Sequence, residues 1–200
     1  MSGDGNFNSK ASSKIRKMSD FRRKKLLHVF NVFFDVNHSG TIEKKDFELA
    51  VERICKARGW KESDPKHTET KDILFKVWDG LRQKADANQD GQVSHEEWVT
   101  MWDDYAKNPD QALGWQNQYM NFMFELEDSS GDGTIDEEEF KSLCVSYGLS
   151  PDESTEAFGK FTSNNTVEIT REVFADLWKQ FFASEDPNAP GNYIFGKVSI

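Results

Sequence analysis

A chain of 200 residues with 35 Asp or Glu against 25 Lys or Arg, and a formal net charge of -10, makes a poor nucleic-acid binder and a natural host for cations. Sixteen Phe, six Trp and five Met supply a core for amphipathic helices under a charged surface. Two cysteines make no disulfide framework, no apolar run approaches the ~20 residues of a membrane span, and the polar start lacks a secretory core. These features together predict a reducing, cytoplasmic setting. Residue 2 is Ser, so the glycine needed for myristoylation is missing.

Residues 1–19, rich in Ser, Gly, Asn and Lys, have little to bury and read as a mobile basic tail, with Ser19 after Arg16 and Lys17 as a candidate phosphorylation site. Residues 10–25 hold eight Lys or Arg against Asp20 alone, so the rest of the chain is more acidic than the total implies. Arg22, Arg23, Lys24 and Lys25 read as a solvated helix start, with contact to an anionic membrane or partner as the alternative. From Phe21 to Phe34, the apolar residues Leu26, Leu27, Phe30, Phe33 and Phe34 recur at helical spacing and predict a helix.

The next twelve residues, Asp35 to Asp46, form the first of a series. Asp35, Asn37 and Ser39 stand at positions 1, 3 and 5, Gly40 at 6, Thr41 at 7, Ile42 at 8 and Asp46 at 12. Residues 86–97 repeat the spacing with Asp86, Asn88, Asp90, Gly91, Gln92, Val93 and Glu97, and residues 128–139 with Asp128, Ser130, Asp132, Gly133, Thr134, Ile135 and Glu139. A calcium ion takes about six to eight hard oxygens at roughly 2.3–2.6 Å, and this is the oxygen order of an EF-hand loop. Alternate side chains point inward, glycine at position 6 supplies the sharp turn, the residue at 7 offers its carbonyl, and the acid at 12 closes the shell with both oxygens. The predicted metal ligands are therefore Asp35, Asn37, Ser39, Thr41 and Asp46; Asp86, Asn88, Asp90, Gln92 and Glu97; and Asp128, Ser130, Asp132, Thr134 and Glu139. Asp46 is one methylene shorter than the usual Glu, which favours a smaller shell and moves the first site toward Mg²⁺. Ser94 with Glu97, and Asp136 with Glu139, also read as capping boxes, so closing the ion shell and starting the helix coincide.

Around these loops the helical stripes continue. Phe47, Ala50, Val51 and Ile54 run to a stop at Arg58-Gly59; Ile73, Leu74, Val77, Trp78 and Leu81 follow an Asp64-Pro65 start; Trp98, Met101, Trp102 and Tyr105 read as core. His95 reads as a surface residue. Lys107-Asn108-Pro109 marks a boundary between residues 20–107 and 108–186. Tyr119, Met120, Phe122, Met123 and Phe124 precede the third loop, Phe140, Leu143, Cys144 and Tyr147 follow it, and Ser150-Pro151 starts another helix.

Aligning Ile169 with Ile135 exposes a fourth, decayed loop at residues 162–173, with Thr162 at position 1, Val167 at 6 and Val173 at 12. It lacks the acids and the glycine and should hold no metal, yet it should still pair through position 8, Ile169 with Ile135 as Val93 with Ile42. Phe174, Leu177, Trp178, Phe181 and Phe182 form the last helix stripe. Residues 187–200 contain Tyr193, Ile194, Phe195, Val198 and Ile200, too apolar to lie idle, and are expected to dock in a groove. Gly191, Gly196 and Lys197 have the spacing of a phosphate-binding P-loop, but Val198 stands where Ser or Thr is needed. The predicted class is all-α, with four EF-hands in two paired lobes joined by short β-contacts.

The layout of three intact loops and one degenerate loop resembles the invertebrate sarcoplasmic calcium-binding proteins, and within them the neuronal calexcitin branch. The segments that carry this are Met18-Ser-Asp-Phe21, Val29-Phe30-Asn31 leading to Asn37-His38, Trp78-Asp-Gly-Leu-Arg82, Tyr119-Met-Asn-Phe-Met-Phe124 with Ser129-Ser-Gly-Asp132, and Gly191-Asn192 to Phe195-Gly196. The resemblance implies a compact helical calcium sensor in the cytosol acting on ion channels and calcium release, with GTP binding also attributed to the family. A monomeric Ca²⁺ sensor with an ion channel as protein target is thus the first expectation, and a Ca²⁺/Mg²⁺ buffer the second. A GTP-binding enzyme comes last, because the sequence has no base–nucleophile constellation.

Overall fold

The structure is a computed structural model and describes residues 18–111 and 114–198; the predicted mobility of the tail up to residue 17 and the apolar Ile200 lie outside them. Eight α-helices make up most of the described chain: α1 (Asp20–Val29), α2 (Lys44–Arg58), α3 (Pro65–Ala85), α4 (His95–Lys107), α5 (Gly114–Glu127), α6 (Glu137–Ser146), α7 (Pro151–Phe161) and α8 (Arg171–Ala183). Four two-residue strands lie between helix pairs: β1 (Thr41–Ile42), β2 (Val93–Ser94), β3 (Thr134–Ile135) and β4 (Ile169–Thr170). β1 pairs antiparallel with β2, Ile42 facing Val93, and β3 with β4, Ile135 facing Ile169. These are the position-8 contacts that the loop spacing requires, and they yoke the hands into an all-α fold of two pairs.

The helix expected from Phe21 to Phe34 is interrupted. After α1 the residues Phe30–Phe34 form a π-helical turn closed by the Asp35 amide on the Phe30 carbonyl at 2.8 Å. The wider turn swings Phe33 toward Tyr147 and Phe34 toward Trp98 and Tyr119, so one short segment of the first hand touches both pairs. A single core results. Trp102 of α4 stacks on Phe182 of α8 with ring centroids 3.7 Å apart, and the Trp98 indole donates to the Leu26 carbonyl at 2.9 Å.

Two cations of the expected solvated start are buried. The Arg22 guanidinium donates to the Trp102 carbonyl at 2.7 Å and the Phe182 carbonyl at 3.1 Å, and pairs with Asp103 at 2.9 Å. The Lys25 ammonium, fully buried, donates to Ser184 O at 2.9 Å, Gln180 O at 3.3 Å and Asn192 Oδ1 at 2.8 Å. Helical phase explains the correction: positions 22, 25, 26 and 29 share one face, and that face meets the C-terminal end of α8, whose last carbonyls need donors. Burial and the nearby Arg22 charge press the Lys25 ammonium down to about 7, against the partial support of Glu185. Lys24 is exposed and Arg23 pairs with Glu96, as a solvated face should. Ser19 caps α1, accepting from the Arg22 amide at 3.1 Å, and its hydroxyl donates to Glu185.

The C-terminal segment docks. After a 3-10 turn at Pro190–Tyr193, Ile194 and Phe195 are buried. The Phe195 ring lies 5.0 Å from Phe33, 5.4 Å from Trp178 and 4.8 Å from Phe181 by centroids, and its carbonyl meets His28 Nε2 at 3.0 Å. Gly191 packs so closely on α8 that a Cβ there would stand 2.3 Å from the Leu177 carbonyl. No phosphate cradle forms in this stretch: Lys197 pairs with Glu156 at 3.0 Å, and no helix follows Gly196 among the described residues.

Candidate metal centres

Loops one to three share a backbone signature. Position 4 is left-handed at His38, Gln89 and Gly131, and position 6 at Gly40, Gly91 and Gly133. Those two reversals let the carboxylate at position 1 reach under the loop and collect its amides. Asp35 accepts from Ser39 N and Gly40 N, both at 2.9 Å; Asp86 from Asp90 N at 3.1 Å and Gly91 N at 3.0 Å; Asp128 from Asp132 N at 3.1 Å and Gly133 N at 3.0 Å. Positions 3 and 5 join the same ring: Asn37 and Asn88 accept from the amides two residues on, Asp90 from Gln92 N and Asp132 from Thr134 N. Ser39 donates to the Thr41 carbonyl at 3.0 Å, bringing positions 5 and 7 together, and Ser130 at position 3 offers its own amide to Glu139.

The residue at position 12 crosses back from the outgoing helix. One oxygen of Glu97 accepts from Ala87 N at 3.0 Å and the other from Ser94 N at 2.9 Å; Glu139 accepts from Ser130 N at 2.8 Å and Asp136 N at 3.1 Å. Asp46 uses the same anchors, Asn37 N at 3.0 Å and Glu43 N at 2.8 Å. Having one methylene fewer, it reaches them from deeper in the protein, where it is 1% exposed. The electrostatics diverge accordingly. Burial would raise the Glu97 and Glu139 carboxyls, but the Ser94 and Ala87 donors, and those of Ser130 and Asp136, hold them below the usual range. At Asp46 burial wins, aided by the charges of Asp35 and Glu43, and the carboxyl is raised.

The capping boxes at Ser94–Glu97 and Asp136–Glu139 form as the spacing predicts. Among the described residues no three His, Cys, Asp or Glu side chains gather as a ready ligand cluster; each loop mixes its carboxylates with Asn, Ser and main-chain oxygens. That hard-oxygen set, carried on loops with left-handed positions 4 and 6, fits a calcium-sized ion. His95 stays out of the ligand set, its ring 4.3 Å from Phe30 and its Nε2 3.2 Å from Asn31 Oδ1. Glu127, just before the third loop, is a buried acid that the sequence reading missed; burial and the Glu139 charge push its carboxyl well above the usual range. Its position on the inner face of α5, one turn after Met123, was the available signal.

The fourth loop routes the same amides elsewhere. Thr166 N and Val167 N, at positions 5 and 6, bond to the Thr162 carbonyl at 3.0 and 2.9 Å, where the other loops offer a carboxylate. Its left-handed residues are Ser163, Asn164 and Asn165, at positions 2 to 4, and the turn closes on itself with no cage.

The chain is 31% identical over 195 residues to Calexcitin-1 of Caenorhabditis elegans, with 93% of each chain covered. It belongs to the calexcitin and sarcoplasmic calcium-binding protein family. The family described as EF hand matches residues 32–51, 83–102 and 123–145, which take in the first three loops. Sarcoplasmic calcium-binding proteins II, V, VI and VII of Branchiostoma lanceolatum are 28% identical over 183 residues, covering 90% of this chain and 98% of theirs. The solved sarcoplasmic calcium-binding protein of amphioxus superposes with a TM-score of 0.77 at 26% identity, over 90% of this chain and 99% of that one. As an EF-hand protein of the calexcitin and sarcoplasmic calcium-binding type, this chain binds calcium through its hands.

Proposed function

We propose that three hands bind ions and that the protein works as a closed cytoplasmic Ca²⁺/Mg²⁺ buffer and not as an enzyme. Asp35, Asn37, Ser39, Thr41 and Asp46 would hold the first ion, which Mg²⁺ can replace. Asp86, Asn88, Asp90, Gln92 and Glu97 would hold the second, and Asp128, Ser130, Asp132, Thr134 and Glu139 the third. The observation that carries the buffer reading is the occupied groove. Phe195 fills the space between Phe33 of the first pair and Trp178 and Phe181 of the second, and the only large apolar side chains exposed among the described residues are Val145 and Val167. A sensor must open an apolar groove to its target, whereas buffer hands barely open. With each apolar face already covered, a monomer is the expected state.

A second reading, the calexcitin-type sensor acting on a channel, is favoured by the identity to Calexcitin-1 and requires the docked segment to leave. An apolar dye separates the two. A buffer gives no gain in dye fluorescence with Ca²⁺ or Mg²⁺, while Gly191→Ala, which drives the segment off α8, gains dye without any ion. A wild-type gain with Ca²⁺ alone would replace the buffer reading with the sensor.

A further inference from the structure

A cavity of about 110 Å³ lies between α2 and α6, behind the third loop, and its polar lining is Arg53, Arg58, Ser129, Glu139, Ser142 and Ser146. Two guanidiniums meet there without a carboxylate partner. Arg22, Arg23 and Arg171 each pair with a carboxylate, but among the described residues Arg53 and Arg58, like Arg82 of α3, pair with none, in a chain of net charge -10. Arg53 lies over the Tyr147 ring, 5.6 Å from its centroid, and Arg58 donates through Nη2 to the Leu126 carbonyl. Each of these contacts uses only part of a five-donor fork. The one carboxylate in the lining, Glu139, is turned to the Ser130 and Asp136 amides and to the Ser129 hydroxyl at 3.2 Å. Ser142 adds a hydroxyl on the α6 side, while the Ser146 hydroxyl donates to the Leu143 carbonyl at 2.7 Å.

We propose that this cavity is a binding site for a small phosphate-type oxyanion, held between the Arg53 and Arg58 forks and the Ser142 hydroxyl. Guanidinium matches the geometry of a tetrahedral oxyanion and gives up its own hydration readily. The volume admits a phosphate-sized group. Because Glu139 also faces the third loop, neutralising its charge there leaves the cavity more positive, so oxyanion and calcium favour one another reciprocally. The proposal rests on the third loop being a calcium site, and its first readout does not need calcium at all.

The test is the ³¹P line width of inorganic phosphate titrated with metal-free protein, then with calcium stoichiometric to the loops. Wild-type protein should broaden the line saturably at one site, more tightly with calcium. Arg53→Gln, on the cavity rim and outside the core, should weaken binding about tenfold or more, and Arg53→Gln with Arg58→Gln should abolish it while the calcium stoichiometry is kept. Glycerol phosphate in place of phosphate tells whether a phosphomonoester enters, and either result leaves one oxyanion class in the site. Absence of saturable broadening in the wild type, equal binding by Arg53→Gln, or an affinity indifferent to calcium while calcium does fill the third loop would overturn the assignment. Failure of calcium itself to bind the third loop, with phosphate still bound metal-free, would count against the loop assignment and not against the cavity.

Discussion

The third and fourth loops share a β-contact and a length but not a use. In loop three, Asp128 gathers the amides of Asp132 and Gly133; in loop four, the amides at the same positions fold onto the Thr162 carbonyl, and the Thr162 hydroxyl, fully buried, donates to Phe158 O at 2.7 Å and accepts from Asn165 N at 3.0 Å. On the three-site proposal ion holding resides in positions 1, 3, 5, 7 and 12 with the turn at 6, while pairing and core formation reside in position 8 and the helix stripes. The two duties would then be separable, with loop four keeping the second alone.

Breaking the shared contact should have the largest effect. Ile169→Ala, in the β4 strand and 1% exposed, should cost about 2–5 kcal/mol in urea unfolding and also weaken calcium binding at loop three, although it touches no ligand. Glu139→Gln should do the converse, lowering the affinity of loop three by roughly 10²-fold through loss of a charged closing group and leaving the unfolding midpoint of the metal-free protein nearly unchanged. Calorimetry should then count two tight events where the wild type gives three. A smaller change comes from loop one, where Asp46→Glu restores the reach to two oxygens and should raise calcium affinity about tenfold while reducing Mg²⁺ competition.

The outgoing helix of the fourth hand gives a pH test. Lys25, which holds the end of α8, has a folded value of about 7 against an ordinary 10.5, so from about pH 7 to 10.5 the unfolded chain binds the proton that the folded protein releases. Stability from this group therefore rises with pH across that window and is flat below it. Urea midpoints of wild type and Lys25→Met, taken at both ends of the window, should diverge in slope, the variant lacking the rise. The smallest effect belongs to Val167→Gly: a glycine at position 6 of loop four adds no ligand, and a fourth binding event would contradict the separation of duties.

The three loops, the register of both strand pairs and the inner faces of most helices were legible because each rests on a short, rigid spacing. Three features were not. The π-helical turn at Phe30–Phe34 preserves the apolar content of a helix, and only packing of Phe33 and Phe34 against both pairs selects it. Arg22 and Lys25 were read by charge, though their phase placed them inside; their partners are main-chain carbonyls of α4 and α8, which no side-chain pattern announces. The docked segment was readable as apolar, but its seat against Phe33 and Phe181 depends on contacts distant in the chain.

The self-closed turn of Thr162 to Asn165 bears on the order in which the proposed sites would fill. On the three-site proposal that half of the second pair takes no cation, so its partner meets a template that is already rigid and would lose less freedom when it is organised. The first pair, with two proposed sites, would have no such template. The expected order, as calcium climbs from its basal level, is that the second pair fills first.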